Sequence, residues 1–457
     1  MTEKLNRSLL YTYGIADLGF VLMVSMELYF FPAFLTDIAK FSVPMAGLVL
    51  GLTSTADIVC ALIAGVILQK VTLMFGGKYR SWFLVGPPVV AVLFILQFSK
   101  VGSYTTAALI ITFGFVSSHL LWNVVFTASA SMVGRLSQSQ DERTILSTSR
   151  AQGMSAAQII FSVTGVSIIG YFTAHTNEIA GYSLASGVYV FFMVLGYLYI
   201  YKMTSGKDPY DETMPDSSKK EAGLSVKEMI GLALENPPLL RLITAEAFRN
   251  TYILTISSCA FYYFKYVLDD SALLSVFILA ISIARLVGTF IATWMGVKIG
   301  KRKSYWMFLV LAAIVFMSAK FLGGSAWSFT AIFCIGSKLG MVASSLSTAL
   351  FSDTVVYGEW KTGKNSRAFT MALQSFSIKL SVLFRSAVIT FGLMAIDFEA
   401  DMDSTPRVVE GISSIMIFTP VIVCLISAAI FYFGYKLEDK HVLQMEEEIA
   451  AQKASGQ

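Results

Sequence analysis

Residues 9–35 read LLYTYGIADLGFVLMVSMELYFFPAFL, an apolar run interrupted by two acids, Asp17 and Glu27. A helix rises about 1.5 Å per residue, so roughly 20 apolar residues cross the hydrocarbon of a bilayer. This run is long enough by itself. It is too long for the apolar region of a signal peptide and has no small-residue cleavage site, so it reads as a first span that stays in place. Working outward, the same rule places spans near 44–69, 81–98, 104–133, 151–174, 182–202, 239–266, 271–296, 304–321, 326–352, 368–395 and 411–435. None of these runs has the strict alternation of a barrel wall. The expected fold is an all-α integral membrane protein with twelve transmembrane helices.

Composition points the same way. Of the 457 residues 55% are hydrophobic and 14% charged, and the mean hydropathy is +0.67. Soluble domains carry about 25% charged residues, so this chain has too few to coat a water-facing globule. Cys60, Cys259, Cys334 and Cys424 lie singly in apolar runs, with no paired spacing for a disulfide or a metal, and read as packed side chains. The net charge of +4 is spread through short connections and is no nucleic-acid signature. No GxxxxGK[ST] segment marks a nucleotide site, and no metal or nucleophile constellation marks an enzyme.

Basic residues set the orientation. One set of alternate connections holds Lys4, Arg7, Lys70, Lys78, Arg80, Arg135, Arg143, Arg150, Lys298, Lys301, Arg302, Lys303, Lys361, Lys364 and Arg367. The other holds Lys40, Lys100, Lys265, Lys320 and Arg407. By the positive-inside rule both termini are expected in the cytoplasm, in a multi-pass protein of the cell membrane. A polar stretch at 203–237 divides the spans six and six, and its second part, LSVKEMIGLALENPP, reads as a surface helix stopped by Pro237. The expected organisation is a six-helix bundle over 1–202, a cytoplasmic linker over 203–237, a second six-helix bundle over 238–436 and a cytoplasmic tail over 437–457. The two halves match in spacing, not residue by residue.

Ionisable residues inside the spans point to function. Asp17, Asp57, Arg249, Arg285, Lys338 and Lys379 each lie deep in an apolar run. A charge at the bilayer centre costs about 2.5–3.5 kcal/mol or more unless it meets water, a partner or a substrate. A passive anchor has no use for so many, so the chain reads as a transporter with a polar pathway. Asp57 follows Thr53 and Ser54 by one turn, on a polar face. Such a carboxylate can bind a cation or take a proton, which gives the two charge states a coupled transporter needs. His119, Asn123 and Thr127 form a stripe at i, i+4 and i+8 in span four, with Trp122 beside it. Asn123 suits sugar hydroxyls and an aromatic ring suits the apolar side of a pyranose, whereas His119 reads as a hydrogen-bonded packing residue. Glu246, three residues before Arg249, is expected to pair with it.

The most specific segment is 352–379, SDTVVYGEWKTGKNSRAFTMALQSFSIK. It resembles the glycoside–pentoside–hexuronide:cation symporters, the melibiose permease family of the major facilitator superfamily. The matching residues are Asp353, Thr354, Tyr357–Gly363, Gln374, Ser375 and Lys379, with Val356 where the family has an aspartate. Tyr13, Gly14, Asp17 and Gly19, then Thr36-Asp37, Gly77–Arg80 with Trp82, Glu142–Thr144 with Arg150, and Tyr262–Leu268 match in order along nearly the whole chain. The resemblance implies two bundles flanking a midplane site and alternating access. It places Lys379 in the cation and sugar site and makes Arg150 a sugar-binding arginine.

The expectations are therefore specific. Asp57 and Lys379 couple the cation, the lysine reaching across the bundle interface; Asp17, Asn123, Trp122, Arg150, Gln374 and Lys379 bind substrate. Arg143, Asp353, Glu359 and Lys361, with Arg135, form a cytoplasmic gate. The family's second carboxylate in span two is Ala61 here, which favours protons over sodium because a hard cation wants several oxygens. The two aspartates with which the family's namesake binds galactosides fall on Val21 and Phe126. The basic surplus in the spans, where Arg249, Arg285, Lys338 and Arg385 add to Arg150 and Lys379 against Asp17, Glu27, Asp57 and Glu246, leans towards an anionic glycoside such as a hexuronide, against the alternative that Arg285 and Lys338 pair with carbonyls and structural acids. The partners are a small sugar or glycoside and lipids, with no nucleic acid; no cofactor is expected beyond the coupling ion, H+ or Na+, and a monomer suffices. Rival readings are a proton-coupled exporter of amphipathic compounds and a sugar sensor that does not transport.

Overall fold

The computed structural model describes residues 5–71, 73–137, 139–208, 231–363 and 367–455. The described residues are almost entirely helical. Eleven helices are long and apolar enough to cross a membrane: Arg7–Ile38, Val43–Leu68, Arg80–Gln97, Tyr104–Leu136, Asp141–His175, Glu178–Met203, Leu273–Ile299, Lys301–Leu322, Ala326–Thr362, Leu373–Ala395 and Pro406–Gly434. A further helix, Pro237–Tyr262, occupies the place of the seventh span. Arg241, Glu246 and Arg249 make it more polar than the rest. These twelve are called spans one to twelve below. Most of the linker expected at 203–237, and most of its surface helix, lies outside the described residues, although 231–234 are helical.

Three helices run further than hydropathy alone allows. Span five begins at Gln140 rather than near 151, span four continues to Leu136, and span ten continues to Thr362. The segment DTVVYGEWKTG, expected to join two spans, is thus mostly the last turns of span ten. It ends where Gly363 adopts a left-handed φ of 67° and its N–H closes on the Glu359 carbonyl. Polar residues continue a helix once it has left the hydrocarbon, and only the glycine stops this one. After Tyr435 the tail forms another helix, Asp439–Ser455. It is tied down by Trp360 Nε1 donating to Glu448 at 2.6 Å and by the Arg302–Glu438 ion pair at 3.1 Å.

The chain forms two compact units. The first contains Met1–Asp211, Ala260–Leu279 and Thr390–Val409; the second contains Glu212–Cys259, Ala280–Ile389 and Glu410–Gln457. Within the first unit spans one and five meet backbone to backbone. A Cβ on Gly153 would lie 2.1 Å from the Gly14 carbonyl oxygen, and one on Gly14 would lie 2.0 Å from that of Ser149. Only glycine permits that approach.

A repeat absent from the side chains appears in the backbone. Spans one and seven both end in a widened π-type turn, Phe34–Ile38 and Tyr263–Val267, shifted by 229 residues. Both are closed by the same pattern: Ala39 N to Phe34 O with Phe41 N to Leu35 O, and Leu268 N to Tyr263 O with Asp270 N to Phe264 O.

Candidate functional site

The glycine contact between spans one and five sets Arg150 against Asp17. The guanidinium makes a fork: Nε donates to Oδ2 at 2.9 Å and Nη2 donates to Oδ1 at 2.8 Å. Asp17 is fully buried, whereas the Arg150 side chain keeps 13% exposure. Arg150 also lies 5.2 Å from the centroid of Phe126, which stacks on Phe20 at 4.9 Å; Phe20 stacks on Trp122 at 4.7 Å. Two of the expected substrate residues are therefore each other's ion-pair partners, beside three aromatic rings. Phe20 went unnoticed in the sequence. Phe126, which stands where the resemblance puts a lost aspartate, supplies a ring face to the arginine instead.

Asp57 is buried in span two, and Asn123 Nδ2 donates to its Oδ1 at 3.1 Å. The rest of the stripe serves its own helix. Asn123 Nδ2 also donates to the His119 carbonyl at 2.7 Å, Thr127 Oγ1 donates to the Asn123 carbonyl at 2.7 Å, and Thr53 Oγ1 donates to the Val49 carbonyl at 2.8 Å. His119 stacks on Phe115 at 3.7 Å; its Nδ1 is 2.9 Å from the Phe115 carbonyl and its Nε2 is 3.3 Å from Glu27. Gln97 Nε2 donates to the same glutamate at 3.2 Å. His119 is a packed residue as expected, yet it is also the partner of an acid that spacing could not link to it.

The second unit holds the other candidates. Gln374 Nε2 donates to Thr348 Oγ1 at 3.0 Å, and Lys379 is half-buried on the same helix. Glu246 receives Arg249 through Nε and Nη2, both at 2.8 Å, with Tyr305 Oη at 2.7 Å and Ser347 Oγ at 2.6 Å. The expected Glu246–Arg249 pair is thus present and fully bonded on its carboxylate side.

The expected gate residues sit near the termini-bearing ends of the spans. Asp353 accepts from Lys301 at 2.7 Å and Lys361 donates to the Glu235 carbonyl at 2.8 Å. Arg143 Nε donates to the Ser137 carbonyl at 2.7 Å, Arg135 lies 3.3 Å from Asp208, and Glu359 is half-buried. At the opposite ends of the spans the first unit carries a tighter cluster. Lys265 bridges Asp37 at 2.7 Å and Asp401 at 2.9 Å, Lys40 also pairs with Asp401, Tyr266 donates to Asp37, and Thr36 meets Tyr262 at 2.8 Å. Asp37 is fully buried and joins the two π-type turns. Thr36, Asp37 and Lys265 were visible as motif residues; their meeting was not.

This constellation of helices, buried charges and aromatic rings defines a polytopic transporter. Over residues 12–439 the chain matches the MFS/sugar transport protein family, and it belongs to that family. It is a membrane transporter and not an enzyme. It is 26% identical over 464 residues to a putative sulfoquinovose importer of Salmonella typhimurium (strain LT2), covering 100% of this chain and 95% of the relative. It is 25% identical over 464 residues to a glucuronide carrier protein homolog of Escherichia coli K12, covering 98% and 96%. An isoprimeverose transporter of Lactiplantibacillus pentosus is 22% identical over 452 residues, covering 97% and 92%. A bacterial homolog of the human lysosomal transporter Spinster, solved in an inward-facing, unoccupied conformation, superimposes with a TM-score of 0.69 at 12% identity. The match covers 96% of this chain and 97% of that one, and establishes the shared fold.

Proposed function

We propose that the protein is a cation-coupled symporter of a sugar or glycoside, with an acidic sugar such as a hexuronide as the favoured substrate and the proton as the favoured ion. Both termini face the cytoplasm, because the connections on their side hold most of the lysines and arginines. The carrying observation is Asp57, a buried carboxylate that receives the Asn123 amide, with Ala61 one turn on where a second acid would complete an oxygen-rich ion site. One carboxylate can store one proton and return it. Lys379 shares the coupling role. Asp17, Arg150, Trp122, Asn123 and Gln374 recognise substrate: the fork and the amides read hydroxyls and charge, and the rings cover the apolar sugar face. Arg143, Asp353, Glu359 and Lys361 steady the cytoplasmic ends during alternating access. Two of the relatives above are named for acidic sugars and one for a neutral disaccharide, so acidity is the sharper part of the proposal.

The test is uptake into proteoliposomes under imposed gradients. A pH gradient, acid outside, should drive D-glucuronate above equilibrium in the wild type, and Asp57→Asn should abolish accumulation while retaining counterflow exchange. Accumulation driven by sodium at equal pH would replace the proton; accumulation by Asp57→Asn at the wild-type level would remove Asp57 from coupling.

A further inference from the structure

Spans seven, eight and ten of the second unit enclose hydrogen-bond donors that have nothing to donate to. Among the described residues, Nε and Nη2 of Arg285, Oη of Tyr252 and Oγ of Ser337 are buried without a hydrogen-bond partner. Arg249 Nη1 and Asn250 Nδ2 are in the same condition. Tyr252 and Ser337 are fully buried. The nearby acid, Glu246, cannot serve them, because its two oxygens already take Arg249, Tyr305 and Ser347.

Close helix contacts bring these donors together. A Cβ on Gly340 of span ten would meet the Tyr252 hydroxyl at 2.3 Å, so that hydroxyl reaches the span-ten backbone. A Cβ on Gly288 of span eight would meet the Lys338 carbonyl oxygen at 2.4 Å, so spans eight and ten also touch there. Arg285 lies one turn before Gly288. Ser337 lies between Cys334 and Gly340, one turn from each and next to Lys338. Arg285 is within electrostatic reach of both Tyr252 and Cys334. Arg285 as a residue is half-buried, but its Nε and Nη2 are sealed from solvent; two such idle N–H groups are costly unless an anion fills the fork, and carboxylate and sulfonate oxygens match its geometry.

We infer that Tyr252, Arg285 and Ser337 form a binding site for the acidic group of the transported sugar, a carboxylate or a sulfonate. The inference rests on the acidic-sugar reading above and adds to it a location in the second unit. Arg285 supplies the charge and the fork, and the two hydroxyls donate to the remaining oxygen lone pairs.

The test is equilibrium binding by titration calorimetry on the purified full-length protein, with D-glucuronate, its neutral methyl ester and sulfoquinovose as probes. The wild type should bind both acids at least about tenfold more tightly than the ester, the effect of one charge-assisted hydrogen-bond pair. Arg285→Gln should bring glucuronate down to the ester's affinity without changing that for the ester. Tyr252→Phe, which removes only a hydroxyl and keeps the packing, should weaken both acids several-fold and guards against a misfolded arginine variant. Wild-type affinity for glucuronate in both variants would overturn the site while leaving the acidic-sugar reading standing. Equal wild-type affinity for acid and ester would overturn that reading, and the site with it, and would assign the idle donors to bound water.

Discussion

Asp17 and Glu246 stand 229 residues apart, the shift that relates the π-type turns ending spans one and seven. Matching positions in the two spans therefore carry a buried carboxylate, and each carboxylate holds an arginine in a fork. The likeness ends there. Arg150 comes from another span, keeps part of its surface exposed and has an aromatic face beside it; among the hydrogen bonds described, Asp17 receives no donor but this arginine. Arg249 comes from the same helix as Glu246, is buried, and shares its acid with a tyrosine and a serine. A pair with one partly exposed partner and a ring beside it can open for a ligand. A pair whose carboxylate is bonded through both oxygens to three side chains is a strut.

The largest effect should come from breaking the strut. Glu246→Ala strands Arg249 in the interior and releases Tyr305 and Ser347, a loss of about 3–5 kcal/mol by the usual cost of removing one partner of a buried ion pair. Thermal melting of the purified protein should show a steep fall, with transport lost only because folded protein is lost. The counterpart is Asp17→Asn. It keeps the shape and leaves Arg150 its contact with Phe126, so stability should fall by about 1–2 kcal/mol while the initial rate of sugar uptake falls about tenfold or more. Equal melting losses in the two variants would show that both pairs are structural and would break the comparison.

Sequence reading reached the fold because hydropathy reports lipid contact directly, and a dozen runs of sufficient length leave few architectures. It also singled out Asp17, Asp57 and Asn123, since an isolated polar residue in an apolar run is conspicuous, and Arg150 through the family resemblance. It did not find that Asp17 meets Arg150 or that Glu27 meets His119, because pairing between spans depends on which helix faces turn together. The close approach at Gly14 and Gly153 decides the first case, and glycines by themselves read only as packing. The match between Asp17 and Glu246 was hidden for another reason. Backbone geometry repeats at the π-type turns while side chains have diverged, so Thr36 answers to Lys265 and Asp37 to Tyr266.

In the first unit the ionisable residues buried within the spans include Asp17, Glu27, Asp37 and Asp57 with Arg80, whereas those in the second include Glu246 and Asp353 with Arg249 and Arg385. At the Asp37–Lys265 cluster an acid from the turn that ends span one meets a base from the turn that ends span seven inside one unit. Asp37→Asn removes the charge that holds Lys265 and Tyr266, at a cost of about 1–2 kcal/mol. Amide hydrogen exchange should accelerate at 34–41 and 263–270 together, since one residue joins both turns. Acceleration in only one turn would show that the turns are independent.

The smallest effect should be on Asp401, which lies outside the spans. Hydrogen bonds from Lys40 and then Lys265 hold its carboxyl below the ordinary range for an aspartate. A carboxyl lowered in the folded state contributes stability that is fully present above its unfolded value, about 3.9, and is lost as pH falls through the lower folded value. The side chain is 58% exposed, so the contribution is small. Exchange at Asp401, whose own N–H donates to Tyr266 Oη at 3.0 Å, should therefore, relative to the intrinsic rate at each pH, stay constant from pH 7 to about pH 5 and quicken only below about pH 4. Quickening near pH 6 would mean that a group with a higher pKa governs the cluster.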